Sequence, residues 1–305
     1  MQAATGQLLP RSLMARLDGL DVLSRKILTG KLRGERVAHG RGASLEFEGF
    51  RDYAPGDDPR FIDWNILARL DRLLLKLFTQ DEDLQIHLLL DQSKSCDWGQ
   101  PNKAFFLRQI AAAVSYVALV NHHRLKIWKM SDRATPCSRI LHGRRDIASA
   151  IAALQSLQPQ GTCDFAPCCR HWVASKPHRG VCVVLSDFLF DESHEPGGLE
   201  RGLAFLRAAG RDLHCIQALS PQELHPLAHG FGDATLLLID LESASSRELN
   251  LTPQAISQYQ VNLRSLCQKV QRETQRNHGS YLLVSTADPV ERLVLDAMRR
   301  QNLLG

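Results

Sequence analysis

The stretch Leu88–Gly99, LLLDQSKSCDWG, passes straight from an apolar segment into an aspartate and two serines at alternate positions. An apolar run that stops at such a polar cluster has the pattern of a buried strand ending in a loop. Asp91, Ser93 and Ser95 form Asp-x-Ser-x-Ser at that stop, so one turn can gather a carboxylate and two hydroxyls around a common point. Oxygen donors suit a hard cation such as magnesium, which needs few protein ligands because it keeps several waters. Asp and Ser after a strand also serve as turn and N-cap residues, and the motif alone leaves that reading open.

Outward from this stretch, short apolar runs alternate with segments of helical period. Strands are expected at Leu84–Leu90, Arg124–Met130, Val181–Ser186, Leu213–Leu219, Thr235–Leu241 and Ser280–Ser285. Between them, Phe106, Ile110, Val114 and Val117 share one helical face, as do Ile256, Tyr259, Leu263, Leu266 and Val270. The alternation predicts an α/β fold, a doubly wound and mostly parallel sheet of the Rossmann type with helices on both sides. Such sheets open a ligand crevice at the carboxyl ends of their strands, where the strand order reverses. Two further stretches can offer oxygen at that edge: PQGTCDF, with Thr162 after a glycine, and VVLSDF, with Asp187 at a strand end.

Residues 1–80 read differently, as a helical and irregular extension with a helix near Pro10–Leu28, ahead of a main domain over 81–305. Arg25, Lys26, Lys31, Arg33, Arg36 and Arg41 make a local basic segment. Without interleaved aromatic residues it reads as a solvated face or partner surface, not a nucleic-acid site. Composition is that of an ordinary globular chain, 44% hydrophobic and 23% charged, and a net charge of +4 names no partner. No apolar run approaches the roughly 20 residues of a membrane span and no secretory signal is apparent, so the expected location is cytoplasmic. The eight scattered cysteines are expected to be reduced. Cys163, Cys168, Cys169 and His171 offer the thiolates and imidazole that suit zinc, but they lack a Cys-x-x-Cys pair and stand alone, which argues against a zinc site. His87, in an apolar strand, is expected to be a hydrogen-bonded core histidine. No Gly-x-x-x-x-Gly-Lys-Ser/Thr loop occurs.

The three loops together resemble the von Willebrand factor A domain with its metal-ion-dependent adhesion site. That site is built from Asp-x-Ser-x-Ser, a threonine in a second loop and an aspartate in a third. The resemblance implies that Asp91, Ser93, Ser95, Thr162 and Asp187 hold a ligand-binding divalent cation, magnesium first, with manganese or calcium possible. The upstream stretch GRGASLEFEGFRDYAPGDDPRFIDWNILAR, Gly40–Arg69, is more distinctive. It is similar to the signature of the domain of unknown function family fifty-eight, bacterial proteins often encoded beside MoxR-type AAA+ ATPases. The likeness extends over nearly the whole chain. Cys96 departs from the pattern, since the metal motif is commonly followed there by methionine or another apolar residue.

In the signature, Arg51, Asp57, Asp58, Arg60, Asp63 and Trp64 are expected to form a structural brace or partner-docking surface through ion pairs and turn hydrogen bonds. Phe47, Tyr53, Phe61 and Trp64 are expected to anchor the segment by apolar contact, with Trp64 buried. The family resemblance points to a non-enzymatic adaptor that presents a cation to an acidic group on a MoxR-type ATPase or its client. The alternatives are a hydrolase using Asp91 and Asp187 to activate water through a metal, and a purely structural domain.

Overall fold

The structure is a computed structural model that describes residues 7–24, 45–80, 84–178, 180–190, 196–210, 212–226, 235–239, 246–250 and 252–305. The chain divides into two compact units, one of Met1–Ser24 with Leu84–Gly305 and the other of Arg25–Asp83. The expected boundary near residue 80 is thus close to the end of the smaller unit, but the first 24 residues belong to the larger one. The basic segment from Arg25 to Arg41 lies outside the described residues, as does Asp240–Ser243.

In the larger unit, α1 (Arg11–Leu17) is shorter than the predicted helix and buries Leu13 and Leu17. Beyond Asp18 and Gly19 the chain extends instead: Val22 bridges Leu304, and Asp21 and Gly305 exchange backbone hydrogen bonds of 2.8 and 2.9 Å. The smaller unit pairs β1 (Leu45–Asp52) with β2 (Leu74–Gln80) antiparallel and spans them with α2 (Trp64–Leu70).

Among the described residues, the main sheet of the larger unit has seven strands. Its long members are β3 (Gln85–Asp91), β4 (Arg124–Met130), β7 (Gly180–Ser186), β8 (Asp212–Leu219) and β11 (Ser280–Ser285), in the order β11-β8-β7-β3-β4 and all parallel. Two short antiparallel strands, β5 (Thr135–Pro136) and β6 (Leu141–His142), pair with β4. The doubly wound, mostly parallel sheet expected from the sequence is therefore present. After β3 the chain builds outward to β4, then returns to place β7 on the other side of β3, so the order reverses between β3 and β7.

One predicted strand behaves differently. The Thr235–Ile239 run forms β9, which pairs antiparallel with β10 (Ser246–Asn250) in a separate two-stranded sheet. An apolar run of five residues finds its backbone partners equally well in a local hairpin, and its pattern does not distinguish the two.

β3 is buried at every residue, which explains its unbroken apolar run. Against the sheet packs α3 (Lys103–Val120), capped by the Asn102 side chain on the Phe105 N–H. Its length and composition match those of a short membrane span, yet 83% of it is buried inside the fold, as befits a core helix. Another core joins Leu89 and Val184 of the sheet to α5 (Phe165–Ala174) and α6 (Gly198–Ala208), which follow α4 (Ile147–Gln155). Gly180 enters β7 at φ +151°, and a Cβ there would stand 1.9 Å from the Gln85 carbonyl oxygen, so glycine alone allows the two strands to meet at this point. A short α7 (Pro221–Leu224) follows β8, and α8 (Pro253–Arg276) precedes β11. On α8, Ile256 and Val270 are buried but Tyr259 is exposed, so the predicted apolar stripe is interrupted.

Candidate metal centre

The reversal of strand order brings the carboxyl ends of β3 and β7 side by side, and Asp91 and Asp187 stand there at 0% and 1% exposure. The Asp91 carboxylate is held at both oxygens: Oδ1 accepts the Ser93 N–H at 2.8 Å and Oδ2 the Ser186 hydroxyl at 2.6 Å. Ser186 in turn accepts the Phe188 N–H, which fixes the turn after β7. Phe188 adopts φ +54° in this turn, a left-handed conformation that a non-glycine residue holds only when its surroundings enforce it. Asp187 Oδ1 accepts the Leu189 N–H at 3.1 Å.

Ser93 and Ser95 join the cluster as expected, their hydroxyls hydrogen-bonded to each other at 2.8 Å. The second loop is tied to the first through backbone bonds, Lys94 N–H to Gly161 O and Gln160 N–H to Gln92 O. Thr162 follows at the rim with its side chain exposed. The structure thus gathers Asp91, Ser93 and Asp187 into one buried group, with Ser95 half-buried beside Ser93, and leaves Thr162 at its edge.

Two additions were not foreseen, the Lys103–Glu223 pair and Cys96. Lys103, at the first turn of α3, is 1% exposed, and its ammonium donates to Asp187 Oδ2 at 2.7 Å and Glu223 Oε1 at 2.6 Å. Burial pulls its pKa down, but Asp187 and Glu223 outweigh that and hold it above the ordinary lysine value, so the group is a cation. Glu223 belongs to the capping box of α7, its other oxygen accepting the N–H and hydroxyl of Ser220. A signal for Lys103 exists in the sequence. It shares a helical face with Phe106, Leu107 and Ile110, and a cation in a first turn opposes the helix dipole. A charge placed against both preferences has a buried partner.

Cys96 is the second. The short helical turn Lys94–Cys96 carries it inward to 0% exposure, 3.8 Å from the Ser93 hydroxyl. Burial, then Asp187 and Asp91, push its thiol well above the ordinary range. Burial and the nearby Asp187 likewise push the Asp91 carboxyl up to about 6. Among the described residues, ligand atoms of Asp91, Cys96 and Asp187 lie within 4.8 Å of one another.

The other cysteine cluster takes a different form. Cys163, Cys168 and Cys169 are buried in the core beside α5, while His171 faces outward, so the four do not gather as a zinc site. None of the eight cysteines is in a disulfide. His87 is 1% exposed, its Nε2 is 3.0 Å from the His178 carbonyl oxygen, and its ring meets Trp172 edge-on, as a core histidine should.

In the smaller unit, the signature charges act locally. Arg51 grips Asp57 with two bonds of 2.7 and 2.6 Å, and Asp58 pairs with Arg60 while capping the turn at Pro59–Phe61. Asp63 caps α2 by accepting the Asn65 and Ile66 N–H groups. Trp64 corrects the sequence expectation, since it is 60% exposed. As the first residue of a capped helix it projects outward, while Ile62 and Leu75 supply the buried apolar contact. Tyr53 and Phe61 are partly buried, and the Phe47 side chain lies outside the described residues.

The family model described as a protein of unknown function, DUF58, matches residues 49–265. The chain belongs to the DUF58 family. Its relatives include uncharacterized proteins of Mycobacterium bovis and Mycobacterium tuberculosis, each 27% identical over 247 residues, covering 79% of this chain and 74% of theirs. Among solved structures, this DUF58 chain is similar to the conserved hypothetical protein BatB from Bacteroides thetaiotaomicron, at 13% identity and a TM-score of 0.45, covering 72% of this chain and 98% of that one. A von Willebrand factor type A protein from Catenulispora acidiphila is similar at 12% identity and a TM-score of 0.44, covering 75% of this chain and 44% of that one.

Proposed function

We propose that this DUF58 protein is a binding module whose sheet-edge cluster holds a divalent cation and, through it, an acidic group on a partner protein. The observation that carries the reading is a buried imbalance of charge. Three carboxylates, Asp91, Asp187 and Glu223, face one ammonium, Lys103, which leaves an excess of two negative charges at 0–10% exposure. Unpaired buried charge is costly, and a divalent cation beside Asp91 and Asp187 removes the excess. Ser93 and Ser95 supply neutral oxygen donors within the same group. Held there, the ion supplies Lewis acidity toward an incoming oxygen anion.

The chain's own residues set the rest of the chemistry. Lys103 aims Asp187 through its hydrogen bond, the Ser186 hydroxyl orients Asp91, and the reciprocal bonds of Gln100 with Gln222 hold the loop after the motif against α7. The resemblance to the fifty-eighth family of unknown function supports a partner class for this reading, a MoxR-type AAA+ ATPase or its client. Calorimetry of wild type and Asp91→Ala with the purified MoxR-type ATPase, each with magnesium or with a chelator, tests the reading. Binding by wild type in magnesium, lost both in chelator and in Asp91→Ala, is the expected result. Equal affinity in all four conditions would reduce the motif to a turn.

A further inference from the structure

We propose that Cys96 is a metal ligand, and that the site is therefore selective for a thiophilic divalent ion such as zinc over magnesium. This rests on the cation-binding reading above and concerns which cation it is. Side chains of Asp91, Cys96 and Asp187 bring two carboxylate oxygens and one sulfur within 4.8 Å of one another, and each of these residues is at most 1% exposed. Zinc binds thiolate sulfur at about 2.3 Å and carboxylate oxygen at about 2.0–2.2 Å in a tetrahedral shell, so neighbouring ligands of one ion stand about 3.5 Å apart. The three atoms reach that spacing by closing at most about 1.3 Å through side-chain rotation.

The sulfur's position follows from the local fold. A helical turn over Lys94–Cys96, closed by the Cys96 N–H on the Ser93 carbonyl at 3.2 Å, turns the side chain back under the Asp91 loop. The Ser93 hydroxyl, 3.8 Å from the sulfur, provides a further oxygen on that side. Magnesium takes hard oxygen ligands and gains nothing from sulfur, whereas zinc and cobalt accept a mixed set of sulfur and oxygen. Binding transfers the thiol proton to solvent and forms one metal–sulfur bond, with no change of oxidation state. The competing reading, that Cys96 merely fills the core as a small apolar group, predicts no metal–sulfur bond.

The test uses the full chain, reduced and stripped of metal, titrated with cobalt chloride and zinc chloride while the ultraviolet absorption is recorded. In wild type, cobalt is expected to produce a thiolate-to-cobalt charge-transfer band that zinc abolishes and a large excess of magnesium does not. In Cys96→Ser the band is absent and zinc affinity falls at least about tenfold, the low end of losses when groups supporting a metal are removed, while magnesium affinity is unchanged. X-ray absorption of the zinc-loaded wild type, which needs no variant, is expected to show one sulfur neighbour at about 2.3 Å. Cobalt and zinc binding without the band, at equal affinity in Cys96→Ser, would overturn the role of Cys96 and leave an all-oxygen cation site. A band that survives Cys96→Ser would overturn it too, by assigning the sulfur to another cysteine. Failure of wild type to bind any of the three ions would overturn the cation reading itself.

Discussion

The charges at the ends of β3, β7 and β8 and those between Arg51 and Asp63 both include acid–base pairs, but only in the first set have the ion pairs left water. Lys103 and Asp187 pair with both side chains 1% exposed, whereas Arg60 and Asp58 pair at 75% and 32%. Desolvation makes each buried ion dependent on its partner, while exposed pairs are screened and contribute little. In the smaller unit the aspartates do their work through the backbone, capping a turn and a helix. The contrast teaches that the density of Arg and Asp in the signature marks local shape, and that the charge on which the larger unit depends is a single lysine in an apolar run.

The sharpest way to break the contrast is Lys103→Met. It strips the cation from two buried carboxylates, and the expected loss is about 3–5 kcal/mol in urea unfolding of the metal-free protein. A loss below about 1 kcal/mol would show that these charges behave like surface pairs.

Acidity gives the next largest effect. Asp91 is held near 6 in the folded protein against an ordinary 3.8, so between those values the folded state binds more protons than the unfolded one. The stabilisation is fully present at low pH and is lost as pH rises through about 6, by roughly 2–3 kcal/mol. The difference in unfolding free energy between wild type and Asp91→Asn, followed from pH 4 to 7, measures it. A saturating divalent ion is expected to flatten the wild-type curve, since it favours the ionised carboxylate. A wild type already parallel to Asp91→Asn without metal would refute the assignment.

Smaller effects belong to the other region. Asp63→Ala removes the cap of α2 and is expected to cost about 1 kcal/mol, read as faster amide exchange at Asn65 and Ile66. Trp64→Ala is expected to change stability by less than about 0.5 kcal/mol because the ring is largely in water. A loss of several kcal/mol there would contradict its exposure.

Much of this was legible beforehand, for identifiable reasons. The central strands β3, β7 and β8 are buried on both faces, so each falls within a residue of its apolar run. Asp91 and Asp187 announce themselves because each ends such a run. β5 and β6, two residues each, are too short to leave a periodic signal, and β9 shows that an apolar run does not name its partner strand. Trp64 misled because aromatic residues are so often buried, although Asp63 before it is a helix cap that turns the next side chain outward. Glu223 could be read as a capping residue from Ser-Pro-Gln-Glu, but its bond to Lys103 joins positions 120 residues apart, and local pattern carries no trace of that.

The exchange of hydrogen bonds between Asp21 and Gly305 sets a timetable for synthesis. The segment before Ser24 leaves the ribosome ahead of the main sheet, yet its backbone partners are Leu303, Leu304 and Gly305. At about 5–20 residues per second, it waits roughly 15–60 s for them. The parallel strands from β3 to β8 emerge well inside that interval, so the larger unit assembles them with this flank still open, and the pairing of Asp21 with Gly305 forms only after they have left the ribosome.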